Sequence, residues 1–398
     1  CQQLLYRLLL SVNYSSLCII RQLFFVIISI CMQQTTTEIH TGEIWQASRC
    51  LDHEQNINTA IYQILADLDY QATDHPRIWK KGTQTVINCL VDDIRSCSTD
   101  YHRDLPYLFD SNTTVITDNC VTCPTQYKII QVPASFFGIY HYVPRTQHWT
   151  PDRDFGFAVN RIDQRRFLIM LEIGLRVHLH KGYVNFNCYK PANIGPGADN
   201  TTAQLSFIQT ASKYWAEHWE QHTGPEDIAK YQRSYELLTP QIPIRNYTIR
   251  HDEIFTKSYI NIVAETYSSD NNISVSEKLF RALVTPAPWT VLAGRYTVAY
   301  LDSLGFDTVS DLIDHNHYDR LIEVQDKNRI FVWQSLEIVK QLKSQDLGML
   351  QTRFQQMAQH NQQLLATMSA QWPADFAAWT DQLRKTLSNQ QASVPSQH

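Results

Sequence analysis

Apolar residues along this chain fall into short runs bounded by polar or turn residues, interleaved with stretches whose apolar positions recur at helical spacing. Residues 44–68 follow helical spacing, whereas 85–92 form an apolar run with an acidic end that predicts a buried strand reaching a loop. Strand-like runs at 114–117 and 127–132 complete a first α/β region ending near Pro151. The pattern then restarts. A strand over 155–159 leads through Asn160 and Arg161 into a helix over 165–179, followed by a strand over 183–187. Residues 191–202, with Gly195, Pro196 and Gly197, predict a loop, and Tyr214, Trp215 and Trp219 a helix that either shapes an acceptor pocket or packs on the core, packing being favoured. A strand centred on 260–263, a helix over 274–284 and a strand over 288–294 ending in a glycine turn follow. Strand, loop, helix, strand is the grammar of a nucleotide-binding α/β unit.

Past residue 345, Leu347, Leu350, Phe354, Met357, Asn361, Leu364 and Met368 recur at alternating steps of three and four. Two readings of this stripe stand: a short coiled coil, giving a homo-oligomer through 347–368, or packing onto the chain's own body. The organisation expected is therefore a hydrophobic leader or upstream segment at 1–31, an N-terminal α/β domain at 32–151, a nucleotide-sugar-binding α/β domain at 152–345, and a C-terminal helix with a frayed tail at 346–398.

A chain of 398 residues with 43% hydrophobic content can bury two cores, which agrees with two domains. The net charge of −5 removes the broad attraction to phosphate backbones, so nucleic acid is not an expected partner. Nine irregularly spaced cysteines are no disulfide framework and point to a reducing compartment. Cys120 and Cys123 form a lone CxxC which, with Cys89 and Cys97, has a zinc reading and a packing reading. Packing is favoured because Cys89 lies in an apolar run. Residues 17–31 are apolar but interrupted by Arg21, and an uninterrupted stretch of about ten falls short of the roughly 20 needed to span a bilayer. A cytoplasmic location is expected, with membrane anchorage through 17–31 as the alternative. Sequons at Asn13, Asn112, Asn200, Asn246 and Asn272 leave the compartment open.

The helix at 274–284 opens with Ser274 and Glu277, the spacing of a capping box. Lys278 then falls in the first turn, where the helix dipole disfavours a cation by about 0.3 to 1 kcal/mol. A bound anion would offset that. Arg165 and Arg166 open the helix after 155–159 in the same way, with Asp163 as a cap. Parallel strands feeding both helices would align these starts along one sheet edge, where a diphosphate could bridge them.

The run SVSEKLFRALVTPAPWTVLAG resembles the donor-site segment of α-1,3-fucosyltransferases and related viral and bacterial glycosyltransferase-like proteins. The segment 300–308, the pairs Ile313-Asp314 and Tyr318-Asp319, and FAVNRIDQRRFLIMLEIGL extend the resemblance to about 155–190 and 259–320. It implies a GT-B arrangement: two Rossmann-like α/β domains facing a cleft, here with a C-terminal helical extension. By position, Glu277 would contact the donor ribose, Lys278 its phosphates, and Arg165 or Arg166 a second phosphate, with Asn160 and Arg161 in the matching Asn-Arg segment. The activity implied is sugar transfer from a nucleotide-diphosphate donor to a glycan or other hydroxyl acceptor. The nucleotide-sugar is a substrate, and no cofactor or metal is expected, since no Asp-x-Asp stands out. The loop after Glu265, Pro286 and Pro288 depart from the fucosyltransferase pattern and leave the donor sugar open. A catalytic base would come from the first domain, with Asp92, Asp93 and Asp104 available. The alternative is a non-catalytic relative that binds nucleotide or glycan as a structural or interaction protein.

Overall fold

Two groups of apolar strands build two separate sheets, and helices cover them. The computed structural model describes residues 44–74, 77–90, 111–118, 120–121, 127–140, 148–159, 164–177, 179–186, 253–265, 272–273, 275–321 and 324–392. Helix α1 (Ile44–Asp67) leads into β1 (Gln71–Ala72), β2 (Ile78–Lys81) and β3 (Gln84–Cys89), which pair antiparallel in turn. Gly82, at φ 57°, makes the left-handed turn between β2 and β3. Strand β4 (Thr113–Thr117) lies parallel to β3 and, beyond the short β5 (Cys120–Val121), β6 (Lys128–Gln131) lies parallel to β4. Strands β3 and β4 are buried along their whole length, as expected of strands covered on both faces. β3 ends at Cys89, short of the predicted limit at 92. The Cys89 thiol is buried within it. A 3-10 helix, Ala134–Tyr140, follows.

The second sheet region runs β7 (Phe155–Val159), α2 (Gln164–Arg176), β8 (Gly182–Phe186), α3 (Glu253–Lys257), β9 (Asn261–Ala264), the short β10 (Asn272–Ile273), which pairs with β5 apart from the sheet, α4 (Glu277–Val284) and β11 (Trp289–Leu292), and the sheet itself has four strands. Its strands are all parallel, in the order β11-β9-β7-β8. The chain therefore begins in the middle at β7, winds outward to β8, then returns to β9 and winds outward the other way to β11. The order reverses between β7 and β9, whose ladder is confined to Gly156 opposite Asn261. A Cβ on Gly156 would stand 2.7 Å from both Ile254 Cγ2 and Ser258 Oγ, so a side chain here would displace the packing of α3 and Ser258 against β7. Helix α2 is shorter than predicted, and Leu179 falls instead in a 3-10 turn, Leu179–Lys181.

Helices α5 (Thr297–Ser303), α6 (Asn316–Asp319), α7 (Val324–Lys343) and α8 (Leu347–Ala392) complete the chain. Leu350, Phe354, Met357, Asn361 and Met368 of the predicted stripe are buried against the chain's own body, and Leu347 is exposed. The buried stripe runs on through Trp372, Trp379, Leu383 and Leu387, and the helix passes through Pro373. Gly138 meets α8 backbone to backbone: a Cβ there would fall 2.2 Å from Ser369 N. The indole of Trp379 donates to Gln131 O of β6 at 3.0 Å, while Asn361 bonds Leu283 of α4. The one long helix thus packs on both sheet regions. These are joined further by Phe137 against Phe280 (5.2 Å between ring centroids) and by β5 pairing antiparallel with β10.

The fold is thus α/β, with one mixed and one parallel sheet and a C-terminal helix. Both sheets fall within one compact unit that begins at Glu54. Among the described residues no helix is long and apolar enough to cross a membrane. Residues 17–31, Cys97, Cys123, Tyr214, Trp215 and Trp219 lie outside the described residues.

Candidate ligand-binding site

In a doubly wound parallel sheet, ligands bind outside the carboxyl ends of the strands where the strand order reverses. Here that place lies beyond Val159 of β7 and Ala264 of β9. Glu265 N–H donates to Leu292 O, so Glu265 faces β11 and its neighbour Ala264 turns its carbonyl towards β7. Arg166, in the first turn of α2, reaches that carbonyl: its Nε and Nη2 donate to Ala264 O at 3.3 and 3.2 Å, and the side chain is 1% exposed. A guanidinium is thereby fixed beneath the carboxyl edge.

On the other helix, the cap differs from the predicted capping box. Ser276, not Ser274, is the N-cap of α4, and its hydroxyl accepts from Lys278 N at 3.3 Å. The carboxylate that completes the cap is Glu265, which accepts from Ser276 N at 3.0 Å and from Ser276 Oγ at 2.5 Å. Glu277 is the first helical residue. The buried Glu265 therefore ties the end of β9 to the start of α4, and Lys278 Nζ reaches back to Ser276 Oγ at 3.4 Å. Arg166 and Lys278 come from different crossover helices and are both tied to the end of β9. Sequence reasoning missed Glu265. Its signal was an acidic residue directly after an apolar strand.

The neighbouring strand end is built similarly. Lys327 of α7, buried, donates from Nζ to Ala293 O just past β11 at 2.9 Å, while Ser335 and Thr290 share a hydrogen bond two turns further along. α7 therefore runs antiparallel to β11 and starts at the carboxyl edge. Asn328, on its sheet-facing stripe and 2% exposed, leaves both carboxamide atoms without a hydrogen-bond partner. A buried orphaned polar group costs about 1–3 kcal/mol. Asn328→Leu is therefore expected to raise stability by about 1 kcal/mol, or about 2 °C in Tm for a chain of this size. A thermal melt that falls instead would refute the assignment of an unpaired carboxamide.

Of the acidic pairs in the resembling segment, Asp314 is exposed beside His317, whereas Asp319 is buried. Its carboxylate accepts from Val298 N and Ala299 N at the start of α5. Burial pushes its pKa up, against these amides and the charge of Lys327.

The chain does carry two Asp-x-Asp triplets, Asp67-Leu68-Asp69 and Asp152-Arg153-Asp154. Both are committed to other partners. Asp67 pairs with Arg384 and Asp69 with Lys81, while Asp152 accepts from Tyr183 and Asp154 from Lys343. The second triplet precedes β7 and so lies at the amino edge, away from the strand ends. Among the described residues no group of His, Cys, Asp and Glu is arranged to hold a metal. A recess of about 320 Å³ lined by His148, Trp149, Gln351, Thr352 and Gln355 also lies near the amino edge, where Trp149 donates to Ser258 O before β9. Neither lysine nor arginine lines it.

Asn160, Arg161, Asp92, Asp93 and Asp104 lie outside the described residues, as do the side chains of Arg165 and Glu277. Compared with known proteins, the chain matches no family model, no curated protein and no solved structure.

Proposed function

We propose that the protein binds a nucleoside diphosphate at the carboxyl edge of its second sheet and acts as a metal-independent glycosyltransferase of GT-B type. In this reading a sugar passes from a nucleotide-diphosphate donor to a hydroxyl acceptor. The observation that carries the reading is that Arg166 and Lys278, from the two helices that flank the reversal of strand order, are both tied to the end of β9, one through Ala264 O and the other through Ser276 and Glu265. The start of α4 offers backbone amides to a phosphate, and Lys278 a charge-assisted bond. Arg166 adds fixed positive potential from below, which favours the charge that develops on a leaving diphosphate. Glu277 stands at the first position of the same helix, where it is proposed to meet the ribose.

Thermal-shift titration of the full chain with GDP, UDP and ADP tests the binding step. Stabilisation by at least one is expected, and none from any would end the reading. Lys278→Ala is expected to weaken nucleotide binding at least about tenfold, the effect of one charge-assisted hydrogen bond, with little change in melting temperature. Glu277→Gln leaves the Ser276–Glu265 cap in place, so any loss of affinity reports on the ligand rather than on the helix. Unchanged affinity in both variants would remove these two residues from the site. Binding without release of nucleotide from any donor in the presence of acceptors would identify the protein as a non-catalytic binder.

A further inference from the structure

We propose that Tyr296, backed by Arg295, is the platform on which the planar base of the nucleotide stacks, an inference that rests on the diphosphate site proposed above. Tyr296 stands four residues past the end of β11 and is 37% exposed, a large aromatic at the carboxyl edge. The Arg295 guanidinium lies over its ring, 4.5 Å from the centroid, and is itself anchored by Nε donating to Arg320 O at 3.0 Å. One face of the ring is thus held by a fixed cation, and the residue remains partly open to solvent. Aromatic rings and guanidinium groups are the side chains on which bases stack regardless of base identity.

The place fits the ligand. Tyr296 follows β11, and in a regular sheet that strand lies one spacing, about 4.8 Å, from β9, whose end carries the Lys278 corner. A ribose bridges a gap of that order between a diphosphate and its base. The displacement also leads away from β7, along the edge on which Ala264 O and Ala293 O are held by Arg166 and Lys327.

The backbone sets this ring apart from an ordinary surface tyrosine. Tyr296 has φ 64° and ψ 21°, a left-handed conformation in which a bulky residue is an outlier. It is held there by its N–H donating to Asp319 O at 2.9 Å, next to the Asp319 carboxylate that caps α5. Glycine would take this position without strain. The fold therefore carries a partly exposed aromatic ring at a position where the backbone disfavours it.

The test uses the full-length chain, its Tyr296→Gly and Tyr296→Phe variants, and three readouts: melting temperature, affinity for GDP, UDP and ADP, and affinity for inorganic pyrophosphate. Tyr296→Gly is expected to melt no lower than the parent, to bind its preferred nucleoside diphosphate about tenfold more weakly, and to bind pyrophosphate as before. Tyr296→Phe should bind as the parent does. Undiminished nucleotide affinity in Tyr296→Gly overturns the platform while leaving the diphosphate site standing. The same holds if the parent binds pyrophosphate as tightly as every nucleotide. A lower melting temperature with loss of both ligands would assign Tyr296 a structural role and overturn the platform too. A parent protein that binds neither nucleotide nor pyrophosphate overturns both proposals.

Discussion

Replacing Asn361 by leucine is expected to lower the unfolding free energy by about 3 kcal/mol or more, a larger effect than that of any substitution at the candidate site. The carboxamide is fully buried in the stripe of α8. Its Nδ2 donates to Leu283 O at 2.8 Å and Asp307 O at 2.9 Å, and its Oδ1 accepts from Asp307 N at 2.8 Å. Leucine has the same branching and number of side-chain heavy atoms, though bulkier methyls, and it leaves two carbonyls and one amide without this partner. Each such group costs about 1–3 kcal/mol. Asn361→Asp is the companion test. It keeps an acceptor for Asp307 N but loses both donors and sets a carboxylate against two carbonyl oxygens, so it should also be strongly destabilising. Denaturant unfolding of both variants would measure this, and a loss below about 1 kcal/mol in either would show that the carboxamide is not what holds α8 to this loop.

Lowering the pH from about 6.5 to about 4 is expected to remove about 3 kcal/mol of stability through His315 alone. The ring is buried. Its Nε2 donates to Thr308 O at 2.9 Å, Nδ1 accepts from the Tyr318 hydroxyl, and the ring lies 5.1 Å from that of Trp289. Burial lowers its pKa to about 4, against a raising effect of the Thr308 carbonyl. The unfolded chain takes up this proton near the ordinary histidine pKa of about 6.5, and the native state only near 4. Between those values the unfolded state binds more protons, so stability falls with falling pH by up to about 1.4 kcal/mol per unit, and it levels off below 4.

Carboxylates add smaller effects of both signs. Burial raises the pKa values of Asp302 and Asp319, so these take up protons first in the native state and offset part of the loss. Asp307, despite its burial, and Asp311 are held low by hydrogen bonds from Arg353, so their contributions are lost only below the ordinary carboxylate range. A His315→Gln variant separates the histidine from them. It should be less stable than the parent at neutral pH but show a shallower decline between 6.5 and 4. Parallel curves for the two proteins would remove His315 as the source.

The strands and helices of the second sheet were legible along the chain because their signals are local. Residues 155–159, 260–263 and 288–294 are apolar runs of strand length, and each is bounded by polar or turn residues. The helix starts at Arg165-Arg166 and Glu277-Lys278 follow directly from where those runs end, so local spacing alone sets the basic residues on one edge. The tertiary structure decided which of these groups does what. Arg166 is buried against the Ala264 carbonyl at the end of β9, 98 residues away, a pairing that no local spacing encodes.

The cap of α4 shows the same division. A serine near an acidic helix start predicted a cap of the right kind within two residues of its true place. The carboxylate that completes it comes from Glu265, 11 residues upstream on the far side of a loop. The polar position in the α8 stripe was equally plain in the sequence, whereas its partners lie 54 and 78 residues away. Periodicity says that one face of a helix is buried and which residues share it. It does not say against what, because burial is a local preference for leaving water, and the identity of the surface that receives it depends on how strands far apart in the chain have paired.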